Sequence, residues 1–261
     1  MHRRIPIRAF TLVEMLLVVA IIMLLISILL PTLGKAREAG REVECKTHMA
    51  QIGQGFLSFA LDHTQTLPAS SHGGWEGPLP WQKVWIGKEG TAPGRYTPAA
   101  DGPLVGYIGG GADGMKRFLR CPSLEAGVIG SGIGSNGSFD YTMFLSFSGA
   151  RISSLPKKCH ILYLTDPFGP PQEDLRTPII IEEDPYYHHN RLSIEPGFGS
   201  IDRSATHHRS GSNYFSVDGG VVSLQFSASR APQAWEWFGR SNRGNDVQLN
   251  GSVTYSDWKT R

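Results

Sequence analysis

The chain has 261 residues, a net charge of +2 at neutral pH and three cysteines. This length accommodates one sizeable core or two small ones. The small net charge excludes the strong basic footprint of a nucleic-acid-binding protein, and three cysteines are too few for a disulfide scaffold. The 31 glycines and 17 prolines indicate many turns and long loops.

The first predicted element is an apolar helix over residues 10–30, in which Glu14 is the single ionisable residue. At about 1.5 Å per residue, it is long enough to span a hydrocarbon core of about 30 Å. Arg3, Arg4 and Arg8 precede it without an acidic residue, which predicts a cytoplasmic N-terminus and a translocated remainder. A cleaved secretory signal peptide is the alternative, but Glu14 is unfavourable in such an apolar run.

Fixed positions in this segment carry a resemblance to a known family. RAFTLVEMLLVVAIIMLLISILLP, residues 8–31, resembles the N-terminus of type IV prepilins and of the pseudopilins of type II secretion systems. In that family a short basic leader is removed before a phenylalanine, which is then methylated, and a glutamate stands fifth. Cleavage between Ala9 and Phe10 would make Glu14 the fifth mature residue and Pro31 the twenty-second, where the family often carries proline. Ala9 departs from the glycine that usually precedes the cleavage site.

Glu14 has a physical role in such a filament. Cleavage would create an ammonium group at Phe10, and an isolated charge in the membrane is much less favourable than a paired one. The carboxylate of one subunit would then meet the ammonium of its neighbour and fix the axial register between subunits. The alternative is that Glu14 only extends to the cytoplasmic interface.

The helix is predicted to continue past Pro31 to about Asp62, about 78 Å in all, because nothing in between stops it. Residues 35–44 are charged on nearly all sides, as in a solvated spacer. From Cys45 onward an apolar stripe indicates a face packed on a globular head. The stripe comprises Cys45, Met49, Ile52, Phe56, Phe59 and Ala60, opposite Gln51, Gln54, Ser58 and Asp62.

The segment between the helix and the strands, residues 64–135, is rich in Gly, Pro, Trp and Ser and predicts a long-loop insertion. Its tryptophans, Trp75, Trp81 and Trp85, could stack on a carbohydrate, but such residues more often fix a loop to the core. GYIGGGADG, residues 106–114, follows no predicted strand and opens no predicted helix, so it is a weak phosphate-binding candidate.

Strands are predicted where β-forming residues are bounded by glycine or proline. These segments are residues 138–147, 160–166, 178–184 and 213–226. In the last, Asp218 and Gly219 separate two alternating runs and predict a hairpin turn, since both residues tolerate positive φ. The predicted fold class is α+β, with a long N-terminal helix whose second half packs on a small antiparallel sheet with long loops, a pilin-like arrangement.

The predicted organisation has four parts: a leader, a membrane-spanning or filament-core helix, a helix continuation that packs on the head, and the globular head. They occupy residues 1–9, 10–31, 32–62 and 63–261.

A second resemblance lies near the C-terminus. His208, nine residues and then Asp218-Gly219 resemble the H-X9-DG element of many prepilin-like proteins, and RCPS around Cys121 resembles another recurring element. The resemblance assigns no role to His208, Asp218 or Gly219. From the residue types alone, we expect Asp218-Gly219 to make the turn and His208 to hydrogen-bond a neighbouring loop.

No resident metal or cofactor is predicted. His188 and His189 lie near Glu182, Glu183 and Asp184, and some pseudopilins hold calcium in this half of the head. Calcium prefers oxygen ligands in a spaced loop, however, and neither such a loop nor tetrahedral zinc spacing is visible. Catalytic signatures such as GxSxG, HExxH and the P-loop are absent from the sequence, so an enzyme is not expected.

Cysteine pairing stays open at this point. Cys121 and Cys159 could pair outside the cytoplasm, where disulfides persist. A bond between Cys45 and Cys121 is equally compatible with the sequence.

The resemblance implies a structural subunit of a type II secretion pseudopilus or a type IV pilus-like filament. A prepilin peptidase would cleave and methylate it, and an assembly ATPase and a platform protein would drive its extraction from the inner membrane into a filament of like subunits. The N-terminus would be cytoplasmic and the head extracytoplasmic. The alternative is a membrane-anchored glycan-binding module that uses the helix only as a tether, and a tether gains nothing from Glu14.

Overall fold

The computed structural model describes a part of the chain that comprises the long N-terminal helix and most of the predicted sheet. The described residues are 11–70, 83–87, 100, 102–123, 140–144, 147–161, 172–182, 197–198, 204–205, 208 and 211–225. The chain divides into two compact units, residues 1–41 and 42–261.

Helix α1 spans Leu12–Asp62, a continuous run of 51 residues with Pro31 inside it. Its predicted end at about Asp62 is confirmed. In the first unit, the large apolar side chains of α1 are all exposed, from Leu12 at 78 % to Leu33 at 49 %. Within the part of the chain that the structure describes, α1 is the one helix long and apolar enough to cross a membrane.

The second unit holds the remaining elements. They are α2 (Gly111–Phe118), a short 3-10 helix (Ile152–Ser154), β1 (Tyr141–Phe144), β2 (Lys158–Ile161), β3 (Gln172–Arg176), β4 (Pro178–Glu182), β5 (Gly197–Phe198), β6 (Gly211–Ser216) and β7 (Gly220–Gln225). The main sheet has the order β5-β1-β4-β6-β7, and β2 pairs with β3 in a separate antiparallel ribbon.

Four neighbouring strands of the main sheet, β1, β4, β6 and β7, are antiparallel, while β5 runs parallel to β1. The predicted small antiparallel sheet is therefore confirmed, and the α+β class with it. Three predicted segments, 138–147, 178–184 and 213–226, cover β1, β4 and β7 completely and β6 except for its first two residues. The fourth, 160–166, overlaps only the end of β2, and the rest of it lies outside the described residues.

The turn between β6 and β7 is one residue longer than predicted. Ser216 pairs with Gly220 across a three-residue loop, and Gly219 N–H donates to the Ser216 carbonyl at 3.0 Å. Gly219 has φ of 85°, whereas Asp218 does not have positive φ. The predicted hairpin is present, but Asp218 does not use the positive φ that it tolerates. Its carboxylate instead accepts a 2.5 Å hydrogen bond from Ser216 Oγ. Three-residue hairpin loops place glycine at the last, left-handed position.

The predicted apolar stripe on the second half of α1 is confirmed, because all six of its residues are buried. Gly53 and Gly55 are buried beside them. A Cβ at Gly53 would overlap the ring of Phe215 on β6, and one at Gly55 would lie 2.7 Å from Ile108. These glycines therefore let α1 approach β6 and the loop before α2 more closely than any other residue allows.

Two predictions about the Gly- and Trp-rich middle have different outcomes. GYIGGGADG does open a helix, α2, so the expectation of no helix there was wrong; Gly109, Gly110 and Gly111 lead into it with positive φ. Trp85 is fully buried and lies 5.2 Å from Phe56 on α1, measured between ring centroids. Trp85 thus fixes its loop to the core, as expected. Trp75 and Trp81 lie outside the described residues.

Candidate functional site

The first candidate site is the start of α1 in the first unit. Glu14 Oε2 accepts hydrogen bonds from the Thr11 N–H at 2.9 Å and from Thr11 Oγ1 at 2.8 Å. In return, the Glu14 N–H donates to Thr11 Oγ1 at 3.2 Å. This reciprocal pair is a capping box, in which a threonine and a glutamate three residues later satisfy backbone groups at a helix start.

The capping box gives Glu14 a second, local role at the start of α1. Both bonds reach Oε2, so Oε1 can still accept from a group on a neighbouring chain. Of the other predicted assembly residues, Pro31 lies within α1. The predicted processing residues, Ala9 and Phe10, lie outside the described residues.

The second candidate site is a buried polar cluster in the second unit, built around a disulfide. Cys45 on α1 and Cys121 after α2 form this bond, with their Cα atoms 5.2 Å apart and 76 positions apart in sequence. Of the two pairings that the sequence left open, the structure therefore contains Cys45–Cys121. Both sulfurs are buried.

His208 lies directly against the disulfide. Its Nε2 is 3.2 Å from Cys121 Sγ and 3.2 Å from Glu182 Oε1, and its Nδ1 is 3.5 Å from Ser123 Oγ. Because Cys121 and Ser123 belong to the loop that follows α2, the expectation that His208 bonds a neighbouring loop is confirmed. The contact with Glu182 becomes an ion pair when His208 is protonated.

Glu182 is the least expected member of the cluster, since it ends β4 with no exposed surface. Its Oε2 accepts the Asn213 N–H at 2.8 Å, and Asn213 Nδ2 donates to Oε1 at 3.1 Å. Asn213 is oriented in turn by Ser223, whose hydroxyl donates to Asn213 Oδ1 at 2.7 Å. A buried carboxylate is tolerated only when hydrogen bonds of this kind replace water.

The H-X9-DG spacing follows from β6. His208 precedes the strand and its carbonyl accepts the Gly211 N–H at 2.7 Å, while Asp218 and Gly219 follow the strand in the hairpin loop. His208, which precedes β6, therefore contacts the disulfide, and the residues after β6 form the hairpin loop. Arg176 on β3 lies 3.6 Å from Asp218, which joins the hairpin loop to the smaller ribbon.

Asp140, just before β1, supports the cluster from a second side. Its Oδ2 accepts the Cys121 N–H at 2.7 Å and lies 3.2 Å from Arg120 Nε. Burial raises the pKa of the Asp140 carboxyl to about 6, while the Arg120 guanidinium and the Cys121 N–H lower it and Glu182 raises it further. Burial also raises the pKa of the Tyr141 hydroxyl, which donates to the Cys45 carbonyl at 3.3 Å.

This raised pKa predicts how stability changes with pH. The folded chain holds the Asp140 proton more tightly than the unfolded chain does. Protonated Asp140 therefore adds to the free energy of unfolding, fully below pH about 4, and this stabilisation is lost as the pH rises to about 6. A difference of about two pH units corresponds to about 3 kcal/mol. Between pH about 4 and pH about 7, we expect the free energy of unfolding of wild type to fall by about 2–3 kcal/mol relative to that of Asp140→Asn.

Denaturant unfolding of the disulfide-linked chain at the two pH values measures this change. Asp113→Asn is the matched control, because the Asp113 side chain is 95 % exposed, and its difference from wild type should stay constant. An unchanged difference for Asp140→Asn would show that Asp140 is ionised in the fold as it is in the unfolded chain.

The calcium candidate drawn from the sequence lies mostly outside the described residues, namely His188, His189, Glu183 and Asp184. Glu182 is described, and it faces His208 and Asn213 in the core rather than a loop. Cys159 lies on β2.

The chain matches no protein-family model, no curated protein and no solved structure. The described residues themselves define an α+β protein. It has a small five-stranded sheet, in which four neighbouring strands are antiparallel, and one N-terminal helix that is long and apolar enough to cross a membrane.

Proposed function

We propose that this protein is a structural subunit of a type II secretion pseudopilus or a type IV pilus-like filament. The proposal rests on the resemblance of residues 8–31 to prepilins and on the character of α1 over the same region. One observation carries it furthest: helix α1 exposes seventeen large apolar side chains in the first unit of the chain and buries an apolar stripe in the second.

Exposed apolar surface of this extent is not stable in water. Monomeric soluble proteins rarely expose contiguous apolar patches larger than a few hundred Å², and here nearly every apolar side chain between Leu12 and Leu33 is about half exposed or more. Lipid covers such a helix before assembly, and the helices of neighbouring subunits cover it in a filament. The same helix thus serves as membrane anchor and as filament core.

The remaining parts of the proposal follow the resemblance. The protein is inserted once in the inner membrane with its N-terminus in the cytoplasm and its head outside. A prepilin peptidase removes residues 1–9 and methylates Phe10. An assembly ATPase and a platform protein then extract the subunit into the filament, where the Phe10 ammonium of one subunit pairs with Glu14 of the next.

A glycan-binding module tethered by the helix has less support. Of the three tryptophans that would form its site, Trp85 is fully buried against Phe56. A buried indole cannot offer its face to a sugar ring.

Processing is the direct test of the proposal. We expect the chain, expressed together with a prepilin peptidase, to start at Phe10 and to carry an N-methyl group, because the basic leader and the offsets to Glu14 and Pro31 fit that cleavage. Intact-mass and N-terminal peptide mass spectrometry of the membrane fraction measure it. Ala9→Gly should be cleaved at least as completely, and expression without the peptidase should leave the leader attached. A start near Arg37 would indicate removal of an ordinary signal peptide and would end the pilin proposal.

A further inference from the structure

We infer that Cys45, Cys121, Glu182 and His208 form a structural zinc site when the two cysteines are reduced. The four donor atoms, two sulfurs, one carboxylate oxygen and one imidazole nitrogen, all lie within 4.8 Å of one another. They come from α1, the loop after α2, the end of β4 and the approach to β6. The inference is independent of the proposed filament function, since all four residues belong to the second unit.

The spacing of the donors fits tetrahedral coordination. Zinc binds sulfur at about 2.3 Å and nitrogen or oxygen at about 2.0–2.2 Å, which places neighbouring ligand atoms about 3.3–3.8 Å apart. His208 Nε2 is 3.2 Å from both Cys121 Sγ and Glu182 Oε1. Both distances lie just below this range. The two sulfurs are closer still because they are bonded, and cleavage of that bond lets them separate to the distance that a metal requires.

The surroundings of the donors are those of a metal site. The second ring nitrogen of His208, Nδ1, lies 3.5 Å from Ser123 Oγ, and Nε2 faces two of the other donors, Cys121 Sγ and Glu182 Oε1. Asn213 orients the Glu182 carboxylate through two donors, and Asp140 accepts the N–H of Cys121. Hydrogen bonds of this kind orient ligands and raise metal affinity.

A disulfide alone gives no reason for this arrangement. The bonded sulfurs are apolar and need neither a carboxylate nor an imidazole. Asn213 already donates hydrogen bonds to the buried Glu182 carboxylate, but the charge of that carboxylate is balanced only by a cation, either protonated His208 or a bound metal. A divalent cation supplies that compensation. Two thiolates and an imidazole select zinc over calcium, which prefers oxygen ligands. All four donors are at most 4 % exposed, so the site is closed and structural rather than catalytic.

The two states exclude one another because they use the same sulfurs. A thiol or phosphine reductant breaks the Cys45–Cys121 bond by supplying two electrons, and two protons convert the sulfurs to thiols. Zinc then binds both sulfurs, and the two thiol protons pass to solvent. In the reverse direction, a disulfide oxidant accepts two electrons from the thiolates, the S–S bond forms again and zinc is released.

The test uses the full chain, purified in detergent, freed of metal and treated with a phosphine reductant. Titration with Co²⁺ should bind one ion per chain and produce the visible bands of tetrahedral cobalt together with a sulfur-to-cobalt charge-transfer band. Added Zn²⁺ should abolish both. The oxidised chain should bind no cobalt in this way, and Cys159→Ser, which retains the four donors, should match wild type. A reduced wild-type chain that shows no sulfur-to-cobalt band would overturn the inference.

Variants assign the ligands. His208→Ala and Glu182→Gln should each weaken zinc binding at least tenfold in a competition titration, and Cys121→Ser should remove most of the charge-transfer intensity. Unchanged affinity in both His208→Ala and Glu182→Gln would contradict the site. Because a variant could fail to fold, X-ray absorption of zinc-loaded wild type gives a second measurement. It should show two sulfurs at about 2.3 Å and two nitrogen or oxygen ligands at about 2.0–2.2 Å, and any other sulfur count would refute the assignment.

Discussion

A chain that begins at Lys35 should unfold in one cooperative transition in water, whereas a chain that begins at Ala60 should not fold. The shorter chain lacks the part of α1 that supplies the buried stripe, including Met49, Ile52 and Phe56, all of which have no exposed surface. Each large buried side chain contributes about 2–5 kcal/mol, and a whole domain is stable by only about 5–15 kcal/mol. Circular dichroism during heating measures the difference.

A matched pair of point variants in the longer chain separates packing from chain length. Phe56→Ala should destabilise the head by about 3–5 kcal/mol because it leaves a cavity against Trp85. Leu61→Ala, on the opposite side of the same helix and 74 % exposed, should change stability by less than about 0.5 kcal/mol. Equal cooperativity in the two chain lengths, or equal stability in the two variants, would mean that α1 does not pack on the sheet.

The helix and its stripe are the part of the fold that the sequence predicts best. Apolar residues at helical spacing between Cys45 and Ala60 have one geometric solution, a single buried face, and no proline or cap interrupts the run before Asp62. The β6–β7 hairpin is similarly local, since Gly219 is needed at a left-handed position between two alternating strands. Features that depend on residues close together in sequence could thus be predicted from the sequence alone.

Features that depend on contacts between residues far apart in sequence could not be predicted from the sequence. Helix α2 was not predicted because the glycines at 109–111 lower its intrinsic helix propensity, and the sequence does not show what the helix packs against. Glycine at position 53 lowers the helix propensity of α1, yet the ring of Phe215, which lies far away in sequence, requires a residue without a side chain there. Local patterns carry no information about such approaches.

The buried cluster shows the same limit at a site. Zinc motifs are recognised by closely spaced ligands, whereas Cys45, Cys121, Glu182 and His208 come from four separate elements. Cys121 and His208 are 87 positions apart although their side chains touch. The sequence offered separate signals, namely His208 in the H-X9-DG pattern, RCPS around Cys121 and a possible Cys45–Cys121 bond. None of them joins Glu182 to His208 or to the cysteines.

Glu14→Gln should reach the membrane and be cleaved normally, yet enter filaments at least about a hundredfold less than wild type. Removing the charge makes insertion easier by up to about 2–3 kcal/mol. Assembly suffers because the Phe10 ammonium of the neighbouring subunit is left unpaired, and breaking a buried pair costs about 3–5 kcal/mol. Glutamine is a suitable replacement because it can still complete the capping box with Thr11.

Thr11→Ala is the matched control, because it removes the side chain that caps α1 and keeps the Glu14 charge. Loss of such a cap costs about 1 kcal/mol, so this variant should assemble at close to the wild-type level. Glu14→Val removes both functions and should be as defective as Glu14→Gln, and Glu14→Asp should be intermediate because its carboxylate is one methylene shorter. Filament shearing and immunoblotting measure assembly, with the membrane fraction as reference. The opposite pattern, normal filaments from Glu14→Gln and few from Thr11→Ala, would make Glu14 a helix cap and remove the intersubunit ion pair from the proposed filament.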